Sequence, residues 1–392
     1  MSLLPVAEAQ ARLFALAEPL SAETVPIGEA VGRWLAQDLI ALRDQPWADL
    51  SAMDGYAVRA AEHPGPWRVT GESTAGGATP APISAGAALR IFTGAPVPPG
   101  ADAILIQENA TRDGDLLMAS ADPLPVGRHI RARASDFARE TLLLDSGARL
   151  GAAQVALAVL GGHGRVAVHR RPRVALLSTG NELVPPGADT PPGMLPSSNA
   201  PMLAALLADL PCDVIDLGIV SDDLDAMTAA FARATQADII VSTGGASVGD
   251  HDLVRPAFAA AGGALDFWKI RMRPGKPLMA GTLGKSLFLG LPGNPVSAMV
   301  CGTVFVVPVL RKMLGLPAAP AARVDLPLGV DLPANGPREH YMRAMVRDGA
   351  VLPEDNQDSS LLGILSRADV LMVRPPHDGP RAAGEIIGCI PL

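Results

Sequence analysis

A strand–turn–helix beat repeated over residues 171–315 constrains this chain more than any other feature. "RVALLSTG" precedes "NAPMLAALLADL", "CDVIDLGIV" precedes "DDLDAMTAAFARAT", and "ADIIVSTGG" precedes "DLVRPAFAAAGG". "LDFWKIRM" and "KSLFLGLPG" read as two further strands, and a long helix follows from Pro295. Near-continuous apolar strands alternating with amphipathic helices predict a doubly wound, mostly parallel sheet covered on both faces. The fold class is α/β multidomain, with this sheet at its centre over residues 171–318.

The flanks have a different texture. Residues 5–20 and 24–40 read as helices; in the second, Val25, Ile27, Ala30, Val31, Leu35 and Leu39 fall near helical spacing. From 41 to 140, short apolar runs at Trp67–Thr70, Leu89–Thr93, Ala103–Gln107 and Leu116–Ala119 are separated by Gly, Pro and Asp. That pattern predicts a β-rich domain. A helix is expected at 150–160. The division is therefore a discontinuous helical body (1–40 and 141–170), an inserted β-rich domain (41–140), the central α/β domain (171–318) and a small C-terminal β domain (319–392).

Composition narrows the function classes. The net charge of −8 argues against a nucleic-acid binder, which would show a basic face, but leaves room for a small anionic ligand at a local cluster of cations. Cys212, Cys301 and Cys389 are far apart and odd in number, which suits a reducing compartment and forms neither a disulfide framework nor a zinc knuckle. The N-terminus lacks a basic segment followed by an apolar core, so no signal peptide is expected. The apolar run from Ala298 to Leu310 is too short to span a bilayer and contains Gly302 and Pro308. A soluble, cytoplasmic protein with neither nucleic-acid nor membrane partner is expected.

Ligands of open α/β sheets bind at the carboxyl ends of the strands. Four such ends carry polar or glycine-rich turns: "STGNE" (178–182), "SDD" (221–223), "STGGASVGDHD" (242–252) and "LPGNP" (291–295). Parallel connection predicts that they share one rim. Ser178, Thr179, Gly180, Thr243, Gly244, Gly245, Ser247, Gly249 and Gly293 supply small hydroxyls and open backbone, which suit a phosphate, and Pro292 shapes the last of the turns. Asn294 reads as a helix N-cap with Pro295 at the first helical position. Each turn taken singly is also ordinary loop punctuation.

Two charged groups accompany the turns. Lys269, Arg271 and Arg273 alternate along "WKIRMRPGKP", on one face of an expected strand, and Lys276 follows a Pro-Gly turn. They fit an oxyanion clamp or a solvated edge strand. Glu182, Asp222, Asp250 and Asp252 are acidic strand-end residues. Beside a phosphate they would repel the ligand unless Mg²⁺ bridged them. Asp222 and Asp252 fit helix N-caps as well. No Ser-His-Asp pattern, Walker loop, GxGxxG or CxxC is present, so the chemistry indicated is metal-assisted phosphoryl chemistry by positioning and electrostatics.

The ordered motifs "SAMDGYAV" (51–58), "IFTGAPVPPGAD" (91–102), "STGNEL" (178–183), "STGGASVGD" (242–250), "RPGKP" (273–277) and "LPGNPVSA" (291–298) resemble the molybdopterin molybdenumtransferase family, the MoeA type, to which the gephyrin E domain also belongs. The match runs over nearly the whole chain. The resemblance implies a homodimer with four domains per chain and a central molybdopterin-binding domain. It implies insertion of molybdate into adenylyl-molybdopterin with release of AMP, Mg²⁺ being present. It implies Mg²⁺ near Asp222 and Asp252 with Glu182 close by, and Lys269, Arg273 and Lys276 facing phosphate or molybdate. Lys276, Pro277 and Ser297 would border the molybdate pocket, with Arg338 and Ser360 reaching in from the C-terminal domain. Asp54 and Thr93 would be supplied across the dimer, and Arg131 matches an arginine of the family. Read alone, Asp54-Gly55 is a turn signal and Arg131 a surface charge.

Four positions depart from the family pattern. Leu50 stands where Asn is common, Arg273 where Lys is usual, and Ala134 and Ser135 replace a Gly-Glu pair. An adenylyltransferase sharing the central domain, a tungstate-inserting paralogue and a gephyrin-type scaffold are the competing readings. The long segments flanking the central domain disfavour the first. The lack of a long linker or second α/β domain disfavours the third. Adenylyltransferase and molybdoenzyme maturation proteins are candidate partners.

Overall fold

The computed structural model describes residues 3–120, 122–245 and 253–392. Ser247, Gly249, Asp250 and Asp252 lie outside them. The chain divides into two compact units: Met1–Glu23, Gly32–Trp34 and Val168–Leu392 form one, and Thr24–Val31 and Leu35–Ala167 the other.

The first unit begins with helix α1 (Val6–Leu16), whose Val6, Ala9 and Leu13 are buried at helical spacing. The second unit holds a six-stranded sheet of β1 (Gly55–Val58), β2 (Trp67–Ser73), β3 (Ala87–Ile91), β4 (Ala103–Ile106), β5 (Ala110–Asp113) and β6 (Leu116–Ala119), in the order β4-β1-β3-β2-β6-β5. The β-rich expectation for this stretch therefore holds. Helix α2 (Ala152–Leu160) follows where a helix was expected.

Residues 24–40 are a correction. They continue a strand (Ala22–Pro26), make one 3₁₀ turn (Ile27–Ala30) and end in a two-residue strand (Leu39–Ile40). Pro26 and Gly28 interrupt any helix there, and Gly32 adopts a φ of 79° that helices do not use.

The central sheet lies in the first unit. It comprises β7 (Arg173–Thr179), β8 (Asp213–Val220), β9 (Ile239–Thr243), β10 (Ala264–Trp268), β12 (Met279–Leu283) and β13 (Ser286–Leu291), with a short β11 (Met272–Arg273) falling outside it. The order is β8-β7-β9-β13-β12-β10; the first four run parallel and β12 runs antiparallel to both its neighbours. Strands β9 and β13 are buried throughout, which is why they read as unbroken apolar runs. Alternate residues feed two cores. Val174, Leu176, Ile239, Val241, Leu287 and Leu289 face α1, α3 (Asn199–Leu206) and the helix from Pro295. Ala175, Leu177, Ile240 and Phe288 face α4 (Leu224–Ala234) and α5 (Val254–Ala260).

The helix from Pro295 runs to Met313 and is apolar enough in length and composition to cross a membrane, but 78% of its apolar window is buried inside the protein. It is the central core helix of this unit. The C-terminal sheet contains β14 (Val324–Pro327), β15 (Glu339–Arg347), β16 (Ala350–Pro353), β17 (Val370–Arg374) and β18 (Ile386–Pro391), as expected for a small β domain. One of its faces, with Tyr341, Leu371, Val373 and Ile390, shares the core of the central sheet.

"LDFWKIRM" is not one strand. It breaks after Trp268, Lys269 adopts a φ of 73°, and Met272–Arg273 leaves the central sheet to pair in parallel with Glu339 and His340 of β15. The cations therefore do not share a strand face. The strand Met279–Leu283 was not anticipated, because "PLMAGTL" carries no alternation.

Candidate active site

Strand register brings the turns together. Thr179 pairs with Val220, Ser178 with Thr243, and Thr243 with Leu291, so the parallel strands end level. Their turns open into one cleft of about 820 Å³, lined by Thr179, Gly180, Glu182, Asp222, Thr243, Gly244, Gly245, Pro292, Gly293, Asn294 and Pro295. The four-turn convergence expected from the sequence is thus present among the described residues. Ser178 is buried just beneath, within 3.3 Å of the Ser197 hydroxyl.

Glycine is required at two of these positions. Gly244 has a φ of 94°, and a Cβ there would collide with the Thr179 carbonyl oxygen. Gly180 has a φ of 146°, and a Cβ would meet the Glu182 carboxylate at 2.5 Å. The Glu182 carboxylate thus lies over bare backbone at the cleft wall.

The acidic residues divide by role. Asp223 caps α4, accepting from Ala226 N–H at 2.8 Å. Asp222 does not cap. It accepts from Asn181 N–H at 3.1 Å, while its own N–H donates to Asn181 Oδ1 at 3.0 Å, tying two of the turns together. The capping alternative for Asp222 is therefore set aside by its neighbour. Asn294 occupies the N-cap position, but its side chain makes no capping bond and its Oδ1 is buried without a partner. Among the described residues no cluster of three His, Cys, Asp or Glu side chains could hold a metal.

The segment before α3 contributes residues that sequence reasoning missed. Leu195, Pro196, Ser197, Ser198 and Asn199 line the cleft. Asn199 donates to the Gly293 carbonyl at 2.8 Å, and its Oδ1 is buried and unpartnered. The run of Ser-Ser-Asn ahead of an apolar helix was the available signal.

Beside the cleft lies a second hollow of about 360 Å³, whose lining includes Arg273, Lys276, Pro277, Ser297, Arg338 and Asp358. Pro277 lines both cavities, and Ser360 lines the cleft. Lys276, Pro277, Ser297 and Arg338, named together through the resemblance, thus meet at the hollow, with Ser360 on the adjoining cleft. Among the described residues, none of Arg273, Lys276 and Arg338 has a carboxylate partner. His340, paired with Arg273 in the sheet, is buried with an unpartnered Nε2. Burial, then the surrounding arginines led by Arg273, pushes its pKa down to about 4, so it adds no charge at neutral pH. Asp358 is held below the usual carboxylate range, first by the Ser360 N–H and then by the Ser360 hydroxyl. Lys269 is not among the lining residues of either cavity; its ammonium sits 4.0 Å above the Trp268 ring.

In the other unit, Asp54 Oδ1 accepts from the Thr93 N–H at 2.7 Å and the Thr93 hydroxyl at 2.8 Å. These bonds lower the Asp54 pKa. Arg90 lies against the Tyr56 and Phe92 rings and donates to the Gly55 carbonyl at 3.0 Å, bracing the turn. Arg131 is exposed, on a two-residue strand pairing it with Leu50.

Comparison with known proteins matches nearly the whole chain. Residues 4–162 match the description "MoeA N-terminal region (domain I and II)", 175–312 "Probable molybdopterin binding domain", and 325–392 "MoeA C-terminal region (domain IV)". The chain is 36% identical over 376 residues to molybdopterin molybdenumtransferase 2 of Mycobacterium tuberculosis, covering 92% of this chain and 93% of that protein. It is 39% identical over 305 residues to the molybdopterin molybdenumtransferase of a Nostoc species, covering 75% and 70%. The crystal structure of a molybdopterin biosynthesis MoeA protein from Pyrococcus horikosii superposes with a TM-score of 0.87 at 28% identity, covering 100% of this chain and 99% of that one.

Proposed function

The chain belongs to the molybdopterin molybdenumtransferase family, and from that premise we propose that it inserts molybdate into adenylyl-molybdopterin and releases AMP. The observation that carries this reading is the adjacency of the two cavities. A cleft framed by open backbone and small hydroxyls adjoins a hollow lined by unpaired cations, with Pro277 common to both.

The cleft suits the pterin and its diphosphate. Backbone near Gly244, Gly245 and Gly293 can approach phosphate oxygens without side chains intervening. Asn199 and Asn294 line the cleft wall, and the Asn199 amide holds the Gly293 carbonyl in place beside it. The hollow suits molybdate, a tetrahedral dianion. Arg273 and Arg338 can each present two N–H groups to it, and Lys276 adds a point charge. Arg273 in place of the usual Lys keeps the charge and changes donor geometry. In the reaction two Mo–O bonds of molybdate give way to bonds from both dithiolene sulfurs, the displaced oxygens leaving as water with the thiol protons, and water is added across the pyrophosphate link, so that AMP leaves and the pterin keeps its own phosphate.

Mg²⁺ fits the residues present. Glu182 and Asp222 line the same cleft, and Gly180 leaves the space that the Glu182 carboxylate fills. One or two carboxylates plus phosphate oxygens and waters are what Mg²⁺ takes. When bound it would supply neutralisation of the charge that develops on the leaving phosphate. Asp54, Thr93 and Arg131 are assigned to the partner subunit's side of the site in a homodimer, on the strength of the family motifs they occupy.

Incubation with adenylyl-molybdopterin, Mg²⁺ and molybdate tests the reading. AMP release with formation of active cofactor is expected, and release no greater than background contradicts it. Tungstate run in parallel decides which oxyanion is preferred.

A further inference from the structure

We propose that Arg343 is a positioning residue, whose buried side chain fixes the loop 354–361 and so sets how tightly the cationic hollow holds a tetrahedral oxyanion. This inference rests on the function proposed above. Arg343 is only 1% exposed, in the middle of β15. Its guanidinium donates to the main-chain carbonyls of Leu361 and Asn356, both at 3.1 Å. The Gln357 carboxamide completes the clamp. Its Oε1 accepts from the Arg343 N–H at 2.9 Å, and its Nε2 donates to the Arg343 carbonyl at 2.9 Å and the Glu354 carbonyl at 2.7 Å. One strand residue therefore grips the loop at both ends.

The main chain adds a further tie to the strand, the Glu354 N–H donating to the Arg343 carbonyl at 2.9 Å. Asp355, Asn356, Asp358 and Ser360 are exposed, and Gln357 and Ser359 are half-buried. The loop's own bonds are internal: Asp358 N–H donates to Asn356 Oδ1, and the Ser360 N–H and hydroxyl donate to Asp358. Yet Gln357, Asp358 and Ser359 line the hollow and Ser360 lines the cleft. The hydrogen-bond partners of the Arg343 guanidinium are neutral, with the Asp358 and Glu354 carboxylates acting on it only through space, and burying a guanidinium so costs more than burying an apolar side chain of similar volume. Packing alone does not call for that charge. Two carbonyls converging from opposite ends of a polar loop do, because Arg presents several donors in a rigid fork.

The test uses the full-length protein, titrated with molybdate and assayed for AMP release. Arg343→Met is expected to weaken molybdate binding by roughly tenfold or more, as loss of a supporting partner does at comparable sites. Its KM for molybdate should rise while kcat and the KM for the adenylylated pterin change less than about twofold, the signature of a lost oxyanion subsite. Arg343→Lys should recover part of the loss. A purely structural role would lower Tm and leave this split unmoved. Folded Arg343→Met with wild-type molybdate affinity overturns the proposal. Where Arg343→Met does not fold, Arg343→Lys decides by the same comparison: Lys keeps the charge without the rigid fork that spans the Leu361 and Asn356 carbonyls, and wild-type molybdate affinity in it overturns the proposal. Wild-type protein that binds no molybdate overturns the proposed function itself, an outcome distinct from unchanged affinity in the variants.

Discussion

Asp54 shows how far single residues could be read. Asp54-Gly55 was legible as a turn, and only the family motif marked it for function. Invisible in the sequence were the two bonds from Thr93 and the ring-stacked Arg90 behind the turn, because those residues are 36 to 39 positions away in the chain. The Asp54 pKa is depressed below 3.8, chiefly by the Thr93 N–H and then by its hydroxyl. These bonds favour the ionised carboxylate, so their contribution is complete above the unfolded value and is lost as pH falls through the folded one. Thr93→Val keeps the N–H and removes the hydroxyl, so the Asp54 carboxyl should titrate at a higher pH than in wild type. An NMR titration of the Asp54 carboxyl carbon measures this, and an unchanged midpoint would contradict it.

At the scale of elements, the buried strands were legible because burial on both faces leaves an unbroken apolar run. Helix α4 was legible from its amphipathic spacing, and α3 and α5 from their place after apolar strands in the repeating beat. Failures came where a distant partner decides the conformation. Met272–Arg273 leaves the central sheet for a strand that begins at Glu339, and no local pattern carries that information. Residues 24–40 failed differently: apolar spacing suggested a helix, but Pro26 and two glycines decided the backbone. The acidic pair Asp222 and Asp223 gives a test at this scale. Asp223→Ala removes the α4 cap and should cost about 1 kcal/mol, seen as a lower Tm. Asp222→Ala removes only the side-chain bond from an exposed backbone N–H, so the loss of stability should be under about 0.5 kcal/mol. Its turnover should nevertheless fall tenfold or more. Calorimetry and the AMP assay on both variants decide, and a reversed pattern would make Asp222 the structural residue.

At the scale of the whole molecule, the shared rim was legible because parallel connection forces successive turns to one edge. Of the hollow beside it, Arg273 and Lys276 were legible from the run of cations alone, Arg338 only through resemblance, and Asp358 not at all, since these residues come from separate segments that the β11–β15 pairing helps bring together. The homodimer is the proposal at this scale. Sedimentation should show about twice the 40.4 kDa chain mass, and a monomer would remove the cross-subunit roles of Asp54 and Thr93. The central claim is that the cleft and the hollow act together, one on the adenylylated pterin and the other on molybdate. The most direct measurement is AMP release by wild type, Asp222→Ala and Arg273→Ala, each with and without molybdate. The account expects release that depends on molybdate in wild type and falls at least tenfold in both variants at unchanged Tm. Release that ignores molybdate, or that survives both substitutions, would contradict it.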